Sequence, residues 1–252
     1  MTISIEKANL YEKYRLTYAR QAVRDLLDHI GTVEVIADIG AGTGRLARLF
    51  AEHCTQLYAV EPDPAMRQVA STAVAEWDNI ELRDGTAEQT TLAKRSIDLI
   101  AIGNAFHRFK PKACAELRRI LKPSGWIVLF TYTRSNRALE GLLFPKLAVL
   151  KGMMKELKQA WHGMPERKLF GNCDIHRRSY RQSRTDDWTT FLGSECSALE
   201  APEPGIRSLG YSKRSFGKCS MRLRLTALCR LNMKLKSRLA NLEPNDSQYE
   251  QP

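Results

Sequence analysis

Long apolar runs are missing from this 252-residue sequence: none approaches the roughly 20 residues that a bilayer-crossing helix needs. The opening Met1-Thr-Ile-Ser-Ile-Glu lacks the charged and apolar regions of a signal peptide. A soluble, cytoplasmic protein without a membrane partner is therefore expected. Cysteine is sparse and unpatterned. The six cysteines, at 54, 114, 173, 196, 219 and 229, form no Cys-x-x-Cys spacing and have no histidine at ligand distance, so neither zinc nor a disulfide framework is indicated. Such staples are not needed, because a chain of this length can bury a full core. One domain with an inserted cap is expected rather than two independent domains.

Acidic residues are absent from one stretch. Ile206 to Leu242 holds ten Lys or Arg (Arg207, Lys213, Arg214, Lys218, Arg222, Arg224, Arg230, Lys234, Lys236, Arg238) and no Asp or Glu. Taking those ten from the net charge of +11 leaves the rest of the chain near +1. Basicity belongs to the tail, and the body has the balance of an ordinary globular protein.

Two nucleotide-binding patterns are also incomplete. No Gly-Lys-Ser/Thr closes a phosphate loop, and the dinucleotide pattern Gly-x-Gly-x-x-Gly fails because Arg45 stands where the third glycine belongs. What is present is Val33-Glu-Val-Ile-Ala-Asp-Ile-Gly-Ala-Gly-Thr-Gly-Arg-Leu46. Val33, Val35, Ile36, Ala37 and Ile39 read as a strand covered on both faces. Asp38 ends it, and Gly40, Gly42 and Gly44 turn the chain toward a helix beginning near Arg45. Glycines there allow positive φ and leave the backbone bare to a ligand, with a helix N-terminus aimed at the turn. A second strand, Gln56-Leu-Tyr-Ala-Val60, ends in Glu61, a carboxylate suited to accept both ribose hydroxyls of an adenosine.

These residues resemble the first two motifs of the class I S-adenosylmethionine-dependent methyltransferases. The resemblance continues in order through Ile80 to Glu88 (strand three and its loop) and Ser96 to His107 (strand four and its loop). It then takes in Ala113 to Phe130, with a helix, a Lys-Pro-x-Gly turn and strand five. Ala105-Phe-His107 and Tyr14-Arg-x-x-Tyr18 are similar to the small-molecule branch, of which trans-aconitate-type enzymes are an example. The match covers roughly the first half to two thirds of the chain. The implied fold is α/β, a doubly wound Rossmann-like methyltransferase sheet with an inserted or C-terminal helical cap. Residues 1–133 would form the cofactor-binding core with an N-terminal helical lid, 134–205 a substrate cap, and 206–252 a basic tail, either terminal strands or irregular.

The implied cofactor is S-adenosyl-L-methionine. Under the resemblance Gly40, Ala41, Gly42 and Gly44 admit its amino-acid and ribose parts and Asp38 orients them by hydrogen bonds. Glu61 and Pro62 take the ribose side, Thr86 and Ala87 border the adenine, and Asn104 lies at the strand-four rim. Helix-like spacing from residue 6 to 30, stopped by Gly31, predicts the lid, in which Tyr11, Tyr14 and Tyr18 with Arg15 either close over the cofactor or pack on the sheet. Pro64 starts a helix expected to reach about Trp77. Asp98 reads as architectural. His107 is the candidate catalytic base, able to take a proton from a hydroxyl or amine or to orient a carboxylate; the alternative is that it caps a turn and packs beside Phe106.

Beyond strand five, Trp161, His162, Phe170, His176 and Tyr180 are cap candidates for substrate contact, each also explicable as packing or surface. Asp186 and Asp187 suit a helix N-terminus. In the tail, Leu223, Leu225, Ala227, Cys229, Leu231, Met233 and Leu235 alternate as in a strand, while Met221, Leu225, Leu228, Leu235, Leu239 and Leu242 keep nearly a heptad. The expected function is methyl transfer to a small-molecule acceptor at oxygen, nitrogen or carboxylate. The first alternative is a methyltransferase acting on RNA or another polyanion held by the tail, although only Tyr211 and Phe216 offer aromatics there. The second is a cofactor-binding protein without turnover.

Overall fold

Val35–Ile39 forms β1, an inner strand of a seven-stranded sheet in a computed structural model that describes residues 2–135, 166–171, 175–187, 189–190, 193–194, 197 and 223–234. β1 pairs in parallel with β2 (Gln56–Val60) on one side and β4 (Ile97–Gly103) on the other. β3 (Ile80–Arg83) extends the sheet beyond β2, and β5 (Leu121–Ser135) beyond β4. β6 (Ile175–Asp186) and β7 (Leu223–Lys234) complete the order β3-β2-β1-β4-β5-β7-β6, with β7 antiparallel to both neighbours. The parallel order reverses direction between β1 and β4, and a ligand crevice is expected beyond the carboxyl ends of those two strands. The α/β, doubly wound expectation holds.

Strand residues alternate between two cores, as period two demands. Ala37, Ile39, Ile100, Ile102 and Leu129 pack beneath α5 (Ala113–Ile120) and α6 (Glu166–Phe170), through Leu117, Ile120, Leu169 and Phe170. Ile36, Leu57, Leu99, Val128 and Phe130 pack on the other face against Val23 and Leu26 of α2 (Arg20–Ile30) and Phe50 of α3 (Ala47–Phe50). Asp98 is architectural, as expected. Its carboxylate accepts from the Val35 N–H at 3.0 Å and from Lys122 Nζ at 2.8 Å, tying β4 to β1 and β5.

Several local expectations are corrected. The lid is two helices, α1 (Ile5–Tyr14) and α2, because the backbone is extended at Arg15 and Ala19, which buries Leu16 and Tyr18 between them. Gly31 does stop α2, at φ 80°. α4 (Pro64–Ala73) is capped by Asp63 through the Met66 N–H and ends before Trp77, since Val74 leaves the helical region. The helix after the glycine turn starts only at Ala47 and passes into a 3-10 turn, Ala51–His53, so no long helix points its N-terminus at the turn. Lys122 to Gly125 forms a bulge within β5, where Ile97 lies opposite Leu121 but Leu99 lies opposite Trp126.

The described part of 134–205 supplies α6 and strand β6, and the tail supplies β7, so both segments enter the sheet. The two-residue period of Leu223 to Met233 prevails over the heptad because β5 has an open edge to cover. Phe170 is core, Tyr180 Oη donates to Asp25 at 2.8 Å, and the His176 ring lies 5.1 Å from that of His29. Asp187 accepts from the Thr190 N–H, as a cap would, whereas the buried Asp186 holds Arg184 at the end of β6. Trp161, His162, Tyr211, Phe216 and the rest of the basic tail lie outside the described residues. No helix among the described residues is long and apolar enough to cross a membrane.

Candidate functional site

The three glycines after β1 all have positive φ, at 75°, 58° and 78°, yet they serve different ends. A Cβ at Gly40 would stand 2.5 Å from the Ala105 Cβ, so this glycine lets the turn press on the loop after β4. At Gly44 it would stand 2.8 Å from Val74 Cγ1, so that glycine admits the end of α4. At Gly42 it would meet nothing within 4 Å. Gly42 is the one of the three whose missing side chain leaves open space.

That space is a cavity of about 340 Å3 beyond the carboxyl ends of β1, β2 and β4. Gly40, Gly42, Glu61, Pro62, Thr86, Ala87 and Asn104 all line it, so seven residues singled out from the sequence converge on one hollow. Glu61 is 8% exposed, and its carboxylate accepts from the Gly42 and Asp63 N–H groups, both at 2.9 Å. One side chain thereby fixes the turn to the tip of β2. Burial raises its pKa, and the two amides offset part of the rise. Asn104, at φ 49°, bridges β4 to β5: its N–H donates to the Phe130 carbonyl and its Oδ1 accepts from the Tyr132 N–H.

Asp38 and Ala41 line a smaller chamber of about 20 Å3, room for about one water, beside the main cavity. Tyr11, Tyr18, Tyr132 and Arg45 form other walls of it. Asp38 is 1% exposed, and neither carboxylate oxygen meets a hydrogen-bond partner. Loss of water pushes its pKa up to about 7; the nearby Ala47 amide, short of hydrogen-bond geometry, tempers the rise and the Glu61 charge adds to it. A buried carboxylate left without a donor is suited to a cationic or hydroxylic group brought by a ligand.

Four residues expected at the site do not line either space. Gly44 packs on α4. Tyr14 lies against Gly193, and its carbonyl accepts from Arg184, because the end of α1 turns it toward β6. Arg15 lies over the Tyr11 ring at 5.2 Å. His107, half-buried in the 3-10 turn Phe106–Arg108, is absent from the lining, whereas its neighbours Arg108 and Phe109 are part of it. Sequence reasoning left Arg108, Asp63 and Met66 out of the lining, and it named Tyr11 only within the lid. Position one residue after the Ala-Phe-His run was the available signal for Arg108. Among the described residues no group of three or more His, Cys, Asp or Glu could hold a metal ion.

A family model described as "Methyltransferase domain" matches residues 37–129, which run from within β1 through the whole glycine turn to within β5. An uncharacterized methyltransferase of Mycobacterium tuberculosis is 33% identical over 139 residues, covering 54% of this chain and 55% of the relative. One from Schizosaccharomyces pombe is 33% identical over 130 residues, covering 50% and 51%. The chain thus spans about half the length of these curated relatives. Among solved structures, a putative type II methyltransferase from Anaeromyxobacter dehalogenans is similar in fold, with a TM-score of 0.63 at 20% identity over 89% of this chain and 100% of that one. The YcgJ protein of Bacillus subtilis gives a TM-score of 0.54 at 19% identity, over 87% and 100%. The bare turn, the acidic tip of β2 and the parallel strands around them thus lie in the segment, residues 37–129, that matches the methyltransferase domain.

Proposed function

We propose that this protein transfers the methyl group of S-adenosyl-L-methionine to a small-molecule acceptor. The observation that carries the reading is the cavity at the tips of β1, β2 and β4, bare at Gly42, acidic at Glu61 and roofed by Thr2, Ile3 and Tyr11 of the N-terminal segment. The family's cofactor fits the residues present. Gly42 leaves the space that a Cβ would fill, Glu61 offers a carboxylate for ribose hydroxyls, Thr86 and Ala87 form a wall beside it, and Asp38 is a buried carboxylate awaiting a donor. The roof over the cavity favours an acceptor of modest size over a folded polymer.

When bound, the cofactor supplies a methyl group already activated by its sulfonium, which becomes a neutral thioether as the acceptor's lone pair takes the methyl. The protein's residues hold, align and exclude water, and positioning of this kind contributes up to about 7 to 11 kcal/mol in favourable model reactions. Glu61 keeps its charge-assisted contacts to Gly42 and Asp63, so the turn is set before a ligand arrives. Tyr11 and Phe109 present ring surface to the cavity and Arg108 presents a cation, a combination suited to an acceptor with an apolar body and an anionic group. A carboxylate acceptor carries no proton to lose, so a base at His107 is not required.

A second reading has one observation in its favour. Arg177, Arg178 and Arg181 are exposed on β6, the edge strand of the sheet, as a surface for RNA would be. One experiment separates the two. Protein, tritiated S-adenosyl-L-methionine and cell extract are incubated, and the extract is fractionated by size. Label in the small-metabolite fraction supports the proposal; label confined to nucleic acid refutes it in favour of the polyanion reading. If no label leaves the cofactor while S-adenosylhomocysteine still binds, a binding protein without turnover is left.

A further inference from the structure

Arg45, the residue that separates this turn from the dinucleotide pattern, directs its guanidinium toward α1. It donates to the main-chain carbonyls of Glu12 and Arg15, the latter at 2.6 Å, and so satisfies acceptors that the end of a helix leaves open. Glu12 reaches back from the helix. Its Oε2 accepts from Thr43 Oγ1 at 2.6 Å and lies 3.5 Å from Arg45, while its Oε1 accepts from Arg48 at 2.5 Å. The three charged side chains are between 15 and 28% exposed, which strengthens these contacts relative to open surface pairs.

The other end of α1 is held too. The Ile3 N–H donates to Asp63 Oδ2 at 3.0 Å, and Ala8 packs with Met66 and Val69 of α4. The helix is therefore strapped across the cavity at both ends, and Tyr11, on its lining, is the residue before Glu12.

We propose that Glu12 is a positioning residue for cofactor binding. By joining Thr43, Arg45 and Arg48 to the last turn of α1, it holds the glycine-rich turn and the roof helix as one piece and sets how long the cofactor stays. The inference rests on the reading of the cavity as the cofactor site. Glu12 belongs to neither of the two sheet cores, so its loss frees the roof without unpacking the sheet.

Glu12→Gln preserves the size of the side chain and removes its charge. Stopped-flow displacement of S-adenosylhomocysteine should show dissociation about tenfold faster and association within about twofold of the parent, because one charge-assisted contact of this kind corresponds to roughly one decade. Calorimetric stoichiometry should stay at the parent's value, which distinguishes a looser roof from a damaged fold. Arg48→Gln removes part of the cluster from the other side and should speed dissociation about threefold. The double variant should be no faster than Glu12→Gln alone, since both changes break the same pair. Equal dissociation rates in parent and Glu12→Gln, additive effects in the double variant, or a loss confined to stoichiometry would overturn the assignment. A parent that takes up no S-adenosylhomocysteine overturns the cofactor reading, and this inference with it.

Discussion

Asp38→Asn should make the protein more stable at neutral pH while weakening cofactor binding, and the size of the gain should depend on pH. In the folded chain the Asp38 carboxyl is 1% exposed, has no hydrogen-bond partner, and has its pKa raised from 3.8 to about 7 by burial. Between those two values the folded state binds more protons at this site than the unfolded state, so stability falls as pH rises and levels off above the folded pKa. The full separation of about 3 units corresponds to about 4 kcal/mol, present at pH 8 and above. At pH 5 the unfolded carboxyl is already largely ionised and the penalty is about 2 kcal/mol; below the unfolded pKa it vanishes. Asparagine has nearly the same shape and no titration. The difference in unfolding free energy between variant and parent should therefore widen by about 2 to 3 kcal/mol from pH 5 to pH 8, in favour of the variant. Urea unfolding at several pH values, extrapolated linearly to water, measures it. Over the same range the variant should bind S-adenosylhomocysteine more weakly than the parent, because the amide has lost the charge that a cationic group would meet. Stability curves that run parallel from pH 5 to pH 8 would refute the claim that Asp38 sits dry and unpartnered.

The remaining expectations concern the rest of the site. Glu61→Ala should weaken S-adenosylhomocysteine binding by roughly 1 to 3 kcal/mol by calorimetry, since the ribose acceptor goes and the Gly42 and Asp63 amides lose their shared partner; unchanged affinity would remove Glu61 from the site. Gly42→Val should abolish that binding by filling the open space above the turn, with about 1 to 2 kcal/mol of lost stability from its positive φ; a variant that still binds would displace the cofactor from this cavity. His107→Ala should keep turnover within about threefold at saturating cofactor, because the residue does not line the cavity, and a loss of a hundredfold or more would restore it as a base. Arg108→Gln should raise KM for an anionic acceptor about tenfold with a smaller change in kcat, and an unaltered KM would argue for an uncharged acceptor.

What the sequence made legible was local. The apolar runs of β1 and β4 and the carboxylate after β2 are each written in fewer than ten consecutive residues, the alternation in β7 in about a dozen, and the parallel core that the first of these predict is present. Boundaries were less legible. Nothing in Arg15 to Ala19 announces a break, because that stretch has neither glycine nor proline; the break exists because Leu16 and Tyr18 are buried there, which depends on strands far along the chain. Residue choice at the cavity suffered in the same way. Tyr11, Tyr14 and Tyr18 are equivalent candidates by spacing, but Tyr11 and Tyr18 wall the chamber while the end of α1 sends Tyr14 toward Gly193. His107 and Arg108 are adjacent, and the 3-10 turn that carries them puts only the second on the lining.

The glycine turn shows why a motif can be recognised correctly and still be misread residue by residue. Three glycines at two-residue spacing suggest one purpose, a backbone bare to ligand. In the folded chain the purpose divides: Gly40 yields to Ala105, Gly44 yields to Val74, and Gly42 alone of the three faces open space. The consequence is a separation of phenotypes. A methyl at Gly40 must force apart the turn and the loop after β4, so Gly40→Ala should lower stability by about 1 to 3 kcal/mol and bring binding down with it. A methyl at Gly42 finds room and should cost little beyond its φ, so its effect belongs to the ligand. The same pattern in another chain would carry the same letters, but which glycine answers to the cofactor would depend on the neighbours that the loop after β4 and the helix after β2 bring to the turn.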